Sequence, residues 1–578
     1  MDYKKMYEEW IQNPYFDQET KDELTQIAKD EKEIKERFYT ELEFGTAGLR
    51  GIIGAGTNRM NIYTVRKATQ GLANYIIHNG MSSKGVAIAY DSRRMSPEFA
   101  DEAALCLCAN GIRAYVFESL RPTPELSYAV RELKCIAGIN ITASHNPPEY
   151  NGYKVYWEDG AQITPPHDAG IMDQVKAVTD YNTVKTIDKA EAIEKGLYAT
   201  IGKEIDDKYI EELKKQVIHW DSIKEAQKDI TIIYTPLHGT GNIPARRVLQ
   251  EIGFENVYVV PEQELPDGEF PTVSYPNPEA EEAFTLALKL AKEKNADLVL
   301  ATDPDADRLG VYVKDSKTGD YITLTGNMSG CLLADYEIGQ RKAIHGDLPK
   351  EGALIKTIVT SNMADAIAKH YEVRLIEVLT GFKFIGQQIL GFETSGSGEY
   401  LFGFEESYGC LIGTHARDKD AIVATMALCE AAAYYKTKGM TLWDAMLAMY
   451  DKYGYYKDDV TAITLKGIEG LEKIQTIMNT LRENPPTVVG DYSVLSARDY
   501  KLDTIKDLNT NEVRSTGLPS SNVLYYDMSD NAWLCVRPSG TEPKIKFYYG
   551  VVGTSLEDSE KKSKKLAKKV LELIDTMK

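Results

Sequence analysis

Short apolar runs alternate with amphipathic stretches through most of the chain. A lead over residues 1–40 carries charges every few positions, as surface helices do, and GVAIAYD at 85–91 then opens a regular pattern. The helical periodicity of 97–110, the run IRAYVFE, another helical stretch after PTPE and the run CIAGINIT follow in turn. This β-α-β-α-β order predicts a parallel sheet covered by helices.

The same order returns twice, and the last strand of each unit runs into a polar loop. CIAGINIT leads into TASHNPPEYNGYK at 142–154, DLVLATD into DPDADR at 303–308, and YLFGF into EESYG at 405–409. Because α/β sheets bind ligands at the carboxyl ends of their parallel strands, these loops are the first candidates for chemistry. We therefore predict an α/β protein with three units of one architecture.

The tail from about residue 456 differs, since the runs SSNVLYYDM, AWLCVRP and KIKFYYGV precede a long charged helix. We predict a fourth, smaller α+β domain, with RPSGTEPK as the turn between two strands. A chain of 578 residues is too long for one ordinary core, at roughly 100–200 residues per domain. The predicted domains are 1–200 with the helical lead, 201–318, 319–455 and 456–578.

Composition narrows the class of protein. Hydrophobic residues make up 43% and charged residues 27% of the chain, and no stretch approaches the roughly 18 uncharged apolar residues of a membrane span. The formal net charge of -20 disfavours nucleic acid as a partner. The start shows no export signal, so we expect a cytoplasmic location. Seven scattered cysteines predict reduced core residues instead of a zinc site or disulfides.

Asp303, Asp305 and Asp307 alternate on one short loop, where their carboxylates could converge on a hard divalent cation. An Asx-rich turn is the alternative, but three like charges so close would repel one another without a cation. An EF-hand is disfavoured, because Arg308 and Lys314 stand where that motif needs Gly and Glu. We predict a metal site for Mg²⁺, which uses few protein oxygens and takes further ligands from phosphate.

RPSGTEPK gathers Arg537, Ser539, Gly540, Thr541 and Lys544 in one tight turn. A guanidinium, hydroxyls and amides around a glycine suit a phosphate group. A plain hairpin turn would use the same Pro-Ser-Gly sequence, so the residues alone leave both interpretations open.

Other polar residues also have a functional and a plain interpretation. Glu405 and Ser407 would lie on one side of an extended segment and bind ligand hydroxyls, or else belong to a solvated acidic loop. Arg50 in GTAGLRG could bind phosphate, although the sequence has no nucleotide P-loop. Ser144 and His145 could be reactive groups or turn residues.

The four loops, in this order along the chain, resemble those of the α-D-phosphohexomutase superfamily, which includes phosphoglucomutases and phosphomannomutases. TASHNP with NGYK, DPDADR, GFEESYG and RPSGTEPK carry the resemblance, which covers nearly the whole chain. GTAGLRG, TGFK at 380–383 and the length of 578 residues look most like the long phosphoglucomutase branch that also contains phosphopentomutases.

The resemblance implies four domains around a central cleft, the first three sharing one α/β sheet topology. It also implies that Ser144 is carried as phosphoserine. This group would bind one Mg²⁺ per chain together with Asp303, Asp305 and Asp307.

The remaining site residues follow from the resemblance as well. Lys419 matches the family's Lys-Asp-Gly near the reacting centre, with Ala421 in place of the glycine. Gly409 stands where bacterial phosphomannomutases often have a histidine, which disfavours a mannose substrate. The other matching positions are Arg50, His145 and Lys154 in the first domain, Arg308 after the metal loop, Thr380 and Gly381 on the sugar-facing loop, Glu405 and Ser407 on the hydroxyl-binding loop, and Arg537, Ser539, Gly540 and Thr541 at the distal phosphate site.

The implied activity is that of an isomerase. Glucose 1-phosphate and glucose 6-phosphate would interconvert through the phosphoserine and a glucose 1,6-bisphosphate intermediate, which also serves as activator. Phosphopentomutase, broad phosphohexomutase or phosphomannomutase activity stays open, as do a non-catalytic phosphosugar-binding protein and a phosphoserine hydrolase. The expected partner is a phosphosugar instead of nucleic acid or a membrane, and the expected state is a monomer or small homo-oligomer.

Overall fold

The structure is a computed structural model that describes residues 2–42, 48–465, 467–539, 544–575 and 577. Its α-helices are α1 (Tyr3–Gln12), α2 (Gln18–Gln26), α3 (Glu31–Phe38), α4 (Ile62–His78), α5 (Ser96–Ala109), α6 (Thr123–Glu132), α7 (His167–Ala177), α8 (Lys189–Glu194), α9 (Lys203–Lys214), α10 (Trp220–Ala226), α11 (Asn242–Ile252), α12 (Pro261–Glu264), α13 (Thr285–Lys294), α14 (Gly326–His345), α15 (Met363–Tyr371), α16 (Phe382–Ser395), α17 (Ala421–Thr437), α18 (Leu442–Tyr453), α19 (Gly467–Glu483) and α20 (Leu556–Asp575).

Its strands are β1 (Leu49–Ile52), β2 (Val86–Tyr90), β3 (Ala114–Phe117), β4 (Ala137–Ile141), β5 (Tyr150–Trp157), β6 (Tyr198–Ile201), β7 (Thr231–Thr235), β8 (Asn256–Val259), β9 (Leu298–Thr302), β10 (Leu309–Lys314), β11 (Tyr321–Leu324), β12 (Gly352–Thr357), β13 (Arg374–Val378), β14 (Glu399–Glu405), β15 (Gly409–Leu411), β16 (Tyr455–Thr464), β17 (Val488–Val489), β18 (Tyr492–Asp499), β19 (Thr504–Asp507), β20 (Val513–Arg514), β21 (Leu524–Met528), β22 (Trp533–Pro538) and β23 (Lys544–Gly553).

The helical lead packs on an aromatic cluster. Trp10 is fully buried and stacks on Phe16, with ring centroids 4.2 Å apart. The indole also packs in T-shaped arrangements with the rings of Phe38, Tyr63 and Tyr181. Three helices too short to be stable alone are thus anchored to α4 by apolar burial.

The first three sheets share one strand order. The first sheet runs β1-β5-β4-β2-β3-β6 and the second runs β11-β10-β9-β7-β8. In both, the third strand of the β-α-β-α-β unit lies beside the first and parallel to it, and the second strand lies on the other side. β14, β12 and β13 repeat this parallel arrangement. The predicted common α/β topology is confirmed.

Antiparallel strands complete the first two sheets and were not predicted. β5 returns alongside β4, and β10 returns alongside β9. β6 extends the first sheet to Ile201, and β11 extends the second sheet to Leu324. The second sheet therefore continues beyond the boundary placed at residue 318.

The chain forms two compact units. The first comprises Met1–Leu324, Gly386–Gly396 and Gly409–Thr441, and it contains the first two sheets. The second comprises Thr325–Ile385, Ser397–Tyr408 and Leu442–Lys578. Residues predicted as one third domain, 319–455, are thus divided between the two units.

The C-terminal sheet is antiparallel and belongs to the second unit. Its strands follow the order β16-β23-β22-β21-β18-β19-β20, and β17 pairs with β18. Apolar side chains of α19 and α20, among them Met478 and Val570, pack in the same buried cluster as Leu534 and Phe547 from the sheet. This arrangement confirms the predicted α+β domain.

Two composition-based predictions concern burial and helix length. All seven cysteines are buried and free of disulfide bonds, as predicted for reduced core residues. Over the part of the chain that the structure describes, no helix is both long and apolar enough to cross a membrane.

Candidate active site

Ser144 lies in the connection between β4 and the antiparallel strand β5. Its side chain is almost completely buried, and its Oγ donates a hydrogen bond to Asp303 Oδ2 at 2.8 Å. Its backbone has φ 51°, in the left-handed region that residues other than glycine seldom adopt. Because the two strands are antiparallel, Asn140 pairs with Lys154 and brings that lysine back to the same edge.

The three aspartates lie in the corresponding connection between β9 and β10. Each offers one carboxylate oxygen, and these atoms all lie within 4.8 Å of one another. All three side chains are buried, and the backbone amides of Asp307 and Arg308 each donate to Asp303 Oδ1 at 3.1 Å. The predicted convergence of three carboxylates is present.

The donor set of these aspartates fits a hard divalent cation. Among the described residues, Asp305 Oδ1 and Asp307 Oδ1 are buried oxygens without a hydrogen-bond partner. Unpaired buried carboxylate oxygens are costly, and a cation would satisfy both. Oxygen ligands of this kind are those that Mg²⁺ and similar ions prefer.

Two lysines face the aspartates. Lys154 Nζ donates to Asp305 Oδ2 at 2.8 Å and lies 3.8 Å from Asp307 Oδ2. Lys419 Nζ lies 3.2 Å from Asp307 Oδ2 and 3.0 Å from Asp418 Oδ1. The sequence places these lysines far apart, and the fold brings both to the carboxylate cluster.

Burial and mutual charge separate the acidities of the three aspartates. Burial, together with the charges of Asp305 and Asp307, raises the pKa of Asp303 well above its usual value. Burial and the Asp305 charge likewise raise the pKa of Asp307. Burial opposes the ionisation of Asp305 too, but the charge and hydrogen bond of Lys154 outweigh it and lower the pKa of Asp305. Asp305 is thus the carboxylate that stays ionised most readily.

Arg50 and His145 flank the serine. His145 Nδ1 lies 3.2 Å from Ser144 Oγ, and Arg50 Nη1 donates to Asn146 Oδ1 at 2.9 Å. Burial and the charges of Arg308 and Arg50 hold the pKa of His145 well below its usual value. The imidazole is therefore neutral near pH 7 and has a lone pair available.

The predicted sugar-facing residues belong to the second unit. Gly381, with φ 120°, donates its amide hydrogen to Glu405 Oε1 at 2.9 Å. Within the described residues, Thr380 Oγ1 is a buried hydroxyl without a hydrogen-bond partner. Of the four predicted residues on these two loops, Gly381 and Glu405 are thus hydrogen-bonded to each other, and Thr380 has a buried hydroxyl.

The predicted geometry of Ser407 is wrong. β14 ends at Glu405, and residues 406–408 form a turn. Tyr408 has φ 64°, which is incompatible with a continuing strand. Ser407 therefore does not lie on one side of an extended segment with Glu405.

The strands on either side of RPSGTEPK, β22 and β23, are antiparallel neighbours, while residues 540–543 of the predicted turn lie outside the described residues. Arg537 pairs with Lys546 across β22 and β23, which places both cationic side chains on one face of the sheet. The amide of Ser539 donates to the carbonyl of Lys544 at 2.7 Å. Gly540 and Thr541 lie outside the described residues.

The sequence analysis did not predict several buried polar residues around the serine loop (142–150) and the aspartate loop (303–308). Thr123 Oγ1 donates to Asp305 Oδ2 at 2.9 Å, and Tyr156 OH donates to Asp418 Oδ2 at 2.9 Å. Asp91 and Arg93 follow β2 and contact the serine loop. Their position after a parallel strand is the one sequence signal that could have singled them out.

Cation binding at the aspartates should raise the unfolding temperature of the protein, and the rise should grow with pH. A cation must displace the proton that the raised pKa of Asp303 retains, so affinity should fall as the pH is lowered through that raised pKa. Without a cation, the free energy of unfolding should fall as the pH rises through the raised pKa of Asp303. Cation binding should offset that loss. Thermal unfolding with and without Mg²⁺ measures both effects.

Asp305→Asn should abolish the Mg²⁺-dependent rise, and Asp320→Asn, at an exposed position, should retain it. A Mg²⁺-dependent rise of the same size in Asp305→Asn and in the unsubstituted protein would show that the ion binds elsewhere.

Three protein-family models match successive parts of the chain. They describe the α/β/α domains I, II and III of phosphoglucomutase/phosphomannomutase, and they match residues 41–182, 207–319 and 325–453.

Curated relatives and solved structures agree with these matches. Phosphoglucomutases from Staphylococcus saprophyticus and Staphylococcus aureus are each 36% identical to the chain over 531 residues, covering 91% and 92% of it and 94% and 93% of their own lengths. A putative phosphomannomutase from Thermus thermophilus is similar in fold, with a TM-score of 0.67 at 20% identity over 93% of this chain and 99% of that one. A Paramecium phosphoglucomutase, parafusin, also gives 0.67, at 19% identity over 93% and 96%. The chain belongs to the phosphoglucomutase/phosphomannomutase family of the α-D-phosphohexomutase superfamily.

Proposed function

We propose that this protein is a phosphoglucomutase, an isomerase that interconverts glucose 1-phosphate and glucose 6-phosphate. The observation that carries the proposal is the buried Ser144 hydroxyl, 2.8 Å from Asp303 Oδ2 at the edge of the carboxylate cluster. Relatives named phosphoglucomutase, 36% identical over 91% of the chain, support it. Ser144 would carry the phosphoryl group, and glucose 1,6-bisphosphate would be the intermediate and activator.

The reaction is two phosphoryl transfers through one serine. In the first, the bond between phosphorus and Ser144 Oγ breaks as a bond forms to the 6-hydroxyl oxygen of glucose 1-phosphate; the proton of that hydroxyl leaves to a base, and Ser144 Oγ takes up a proton. In the second, the bond between phosphorus and the 1-oxygen of the bisphosphate breaks as a bond forms to Ser144 Oγ, which releases its proton; the 1-oxygen takes up a proton, and glucose 6-phosphate departs. Such transfers depend mainly on positioning and on offsetting charge.

Lys154 and Lys419 would offset charge on the transferring group. Burial disfavours the charged form of Lys154, but Asp305 and Asp307 raise its pKa, so it stays protonated and donates instead of accepting. Lys419 contacts the same carboxylate cluster. A Mg²⁺ held by Asp303, Asp305, Asp307 and the Ser144 side chain would add Lewis-acid stabilisation of the phosphoryl oxygens when bound.

Of the two nitrogen groups His145 and Lys154, His145 is the better suited to accept the proton of Ser144, whose hydroxyl donates its hydrogen bond to Asp303 Oδ2. Its neutral imidazole lies 3.2 Å from Ser144 Oγ, within reach of the proton that the serine must release. Lys154, the other nearby nitrogen with a shifted pKa, is held in the protonated form. Geometry and charge together therefore favour His145 for this step.

Residues of the second unit would bind the substrate. Glu405, oriented by the Gly381 amide, and the Thr380 hydroxyl suit the hydroxyls of a hexose. Arg537, opposite Lys546 in the sheet, suits the phosphate that is not reacting. We assign Arg308, Ser407, Ser539, Gly540 and Thr541 to substrate binding on the family resemblance, and Arg50 to the phosphoryl group.

Ser144→Ala should lower mutase activity by more than about a thousandfold, because the phosphoryl carrier is lost. The variant should still fold, with a moderately lower unfolding temperature, because it loses one buried hydrogen bond to Asp303 but little apolar packing. The measurement is a coupled assay of glucose 1-phosphate, mannose 1-phosphate and ribose 1-phosphate with Mg²⁺ and glucose 1,6-bisphosphate.

Ser83→Ala, at an exposed position, is the matched control and should be fully active. Near-normal turnover by Ser144→Ala would contradict the carrier role. A preference for ribose 1-phosphate would identify a phosphopentomutase, and release of free phosphate without isomerised sugar would identify a hydrolase.

Arg537→Ala should raise KM for glucose 1-phosphate by roughly ten- to a hundredfold, as expected for losing a charge-assisted hydrogen bond, and should change kcat much less. Arg514→Ala, on the exposed strand β20, serves as the control in the same domain. Steady-state kinetics measures both, and an unchanged KM would mean that the turn only connects two strands.

A further inference from the structure

Arg93 is a buried cation that lies directly behind the serine loop. It follows β2, which runs parallel to β4, so the ends of the two strands lie at one edge of the first sheet. None of its side chain is exposed, and its guanidinium packs over the ring of Phe270 at 5.0 Å from the ring centroid. A buried arginine needs partners for its five N–H donors.

Four backbone carbonyls of the serine loop, residues 142–150, accept hydrogen bonds from Nη1 and Nη2 of Arg93. Arg93 Nη2 donates to the carbonyl of Ser144 at 2.6 Å and to that of Asn146. Arg93 Nη1 donates to the carbonyls of Pro147 and Tyr150 at 2.8 and 3.0 Å. One planar group thus fixes the course of the backbone from the serine to the start of β5.

The backbone of Ser144 is the part of the loop that most needs such support. Its φ of 51° is unfavourable for a residue with a side chain. Its amide donates to Thr142 Oγ1 at 2.8 Å, while its carbonyl accepts from Arg93. Both sides of the strained residue are therefore held by buried polar groups.

Asp91 contacts both Thr142 and Arg93, the two residues that hold the backbone of Ser144. Its Oδ2 accepts from Thr142 Oγ1 at 2.6 Å and lies 3.3 Å from Arg93 Nε, and its Oδ1 accepts from the Arg93 amide at 2.9 Å. The carboxylate is completely buried. Thr142, Asp91 and Arg93 form one connected network beneath Ser144.

We propose that Arg93 is a positioning residue for phosphoryl transfer: it holds Ser144 in the left-handed conformation that directs Oγ at the Asp303 carboxylate. The inference rests on the proposed function. The Arg93 guanidinium donates its hydrogen bonds to the loop backbone, so it acts on the reaction through Ser144. Lysine could not replace it, because an ammonium group has three donors and no planar fork to span four carbonyls.

The test compares Arg93→Gln and Arg93→Lys with Arg94→Gln in the full-length protein. Arg94 is the adjacent residue, and its half-exposed side chain pairs with Glu269. Two measurements are made: amide hydrogen exchange of residues 142–150, which needs no sugar, and steady-state kinetics with glucose 1-phosphate.

Arg93→Gln should speed exchange in 142–150 by at least about tenfold, as expected when a locally held segment opens more often. It should lower kcat by roughly a hundredfold, since small misplacements of reacting groups are costly, with KM changed by less than about threefold. Arg93→Lys should show the same two effects more weakly, and Arg94→Gln should match the unsubstituted protein in both.

Unchanged exchange in 142–150, or faster exchange with unchanged kcat, would overturn the inference. A lower unfolding temperature with normal kcat would assign Arg93 a structural role only. If Arg93→Gln does not fold, Arg93→Lys decides by the same criteria. If the unsubstituted protein has no mutase activity, the proposed function fails, and the exchange result still decides whether Arg93 holds the loop.

Discussion

Two strand connections, one from each of the first two sheets, meet through the hydrogen bond from Ser144 Oγ to Asp303 Oδ2. Each connection follows the third parallel strand of its unit and returns along an antiparallel strand. The return strand β5 also delivers Lys154 to Asp305. A serine hydroxyl, a carboxylate cluster and a lysine ammonium group therefore meet because the same strand order is used twice.

Charge balance explains why this meeting of loops is stable. Three buried carboxylates would repel one another in a chain whose formal net charge is already -20. Lys154 and Lys419 lie within 4 Å of them, and two buried carboxylate oxygens still have no hydrogen-bond partner among the described residues. The cluster is thus only partly neutralised by protein, and a divalent cation would complete the neutralisation.

Much of the fold could be predicted because strands such as β4 and β9 are short, mostly apolar runs, buried along their whole length. The strand β5 could not be predicted, because Gly152 and Lys154 interrupt its apolar pattern. The aspartate cluster was predictable because its three residues alternate within five positions of the sequence. The support of Ser144 by Arg93 could not be predicted, because the carbonyls that accept hydrogen bonds from Arg93 lie 51 to 57 positions away in the sequence. Hydrophobic periodicity indicates only local structure and does not reveal such contacts. Ser407 was misplaced because the left-handed Tyr408 ends the strand early.

The central claim is that Ser144 carries the phosphoryl group between the two positions of the sugar. The most direct measurement is mass spectrometry of peptides from the full-length protein after incubation with glucose 1,6-bisphosphate and again after addition of excess glucose 1-phosphate. The account predicts phosphate on the peptide that contains Ser144 after the first step and its transfer to sugar after the second. Phosphate on another residue, or a phosphorylated Ser144 that persists in the presence of glucose 1-phosphate, would contradict it.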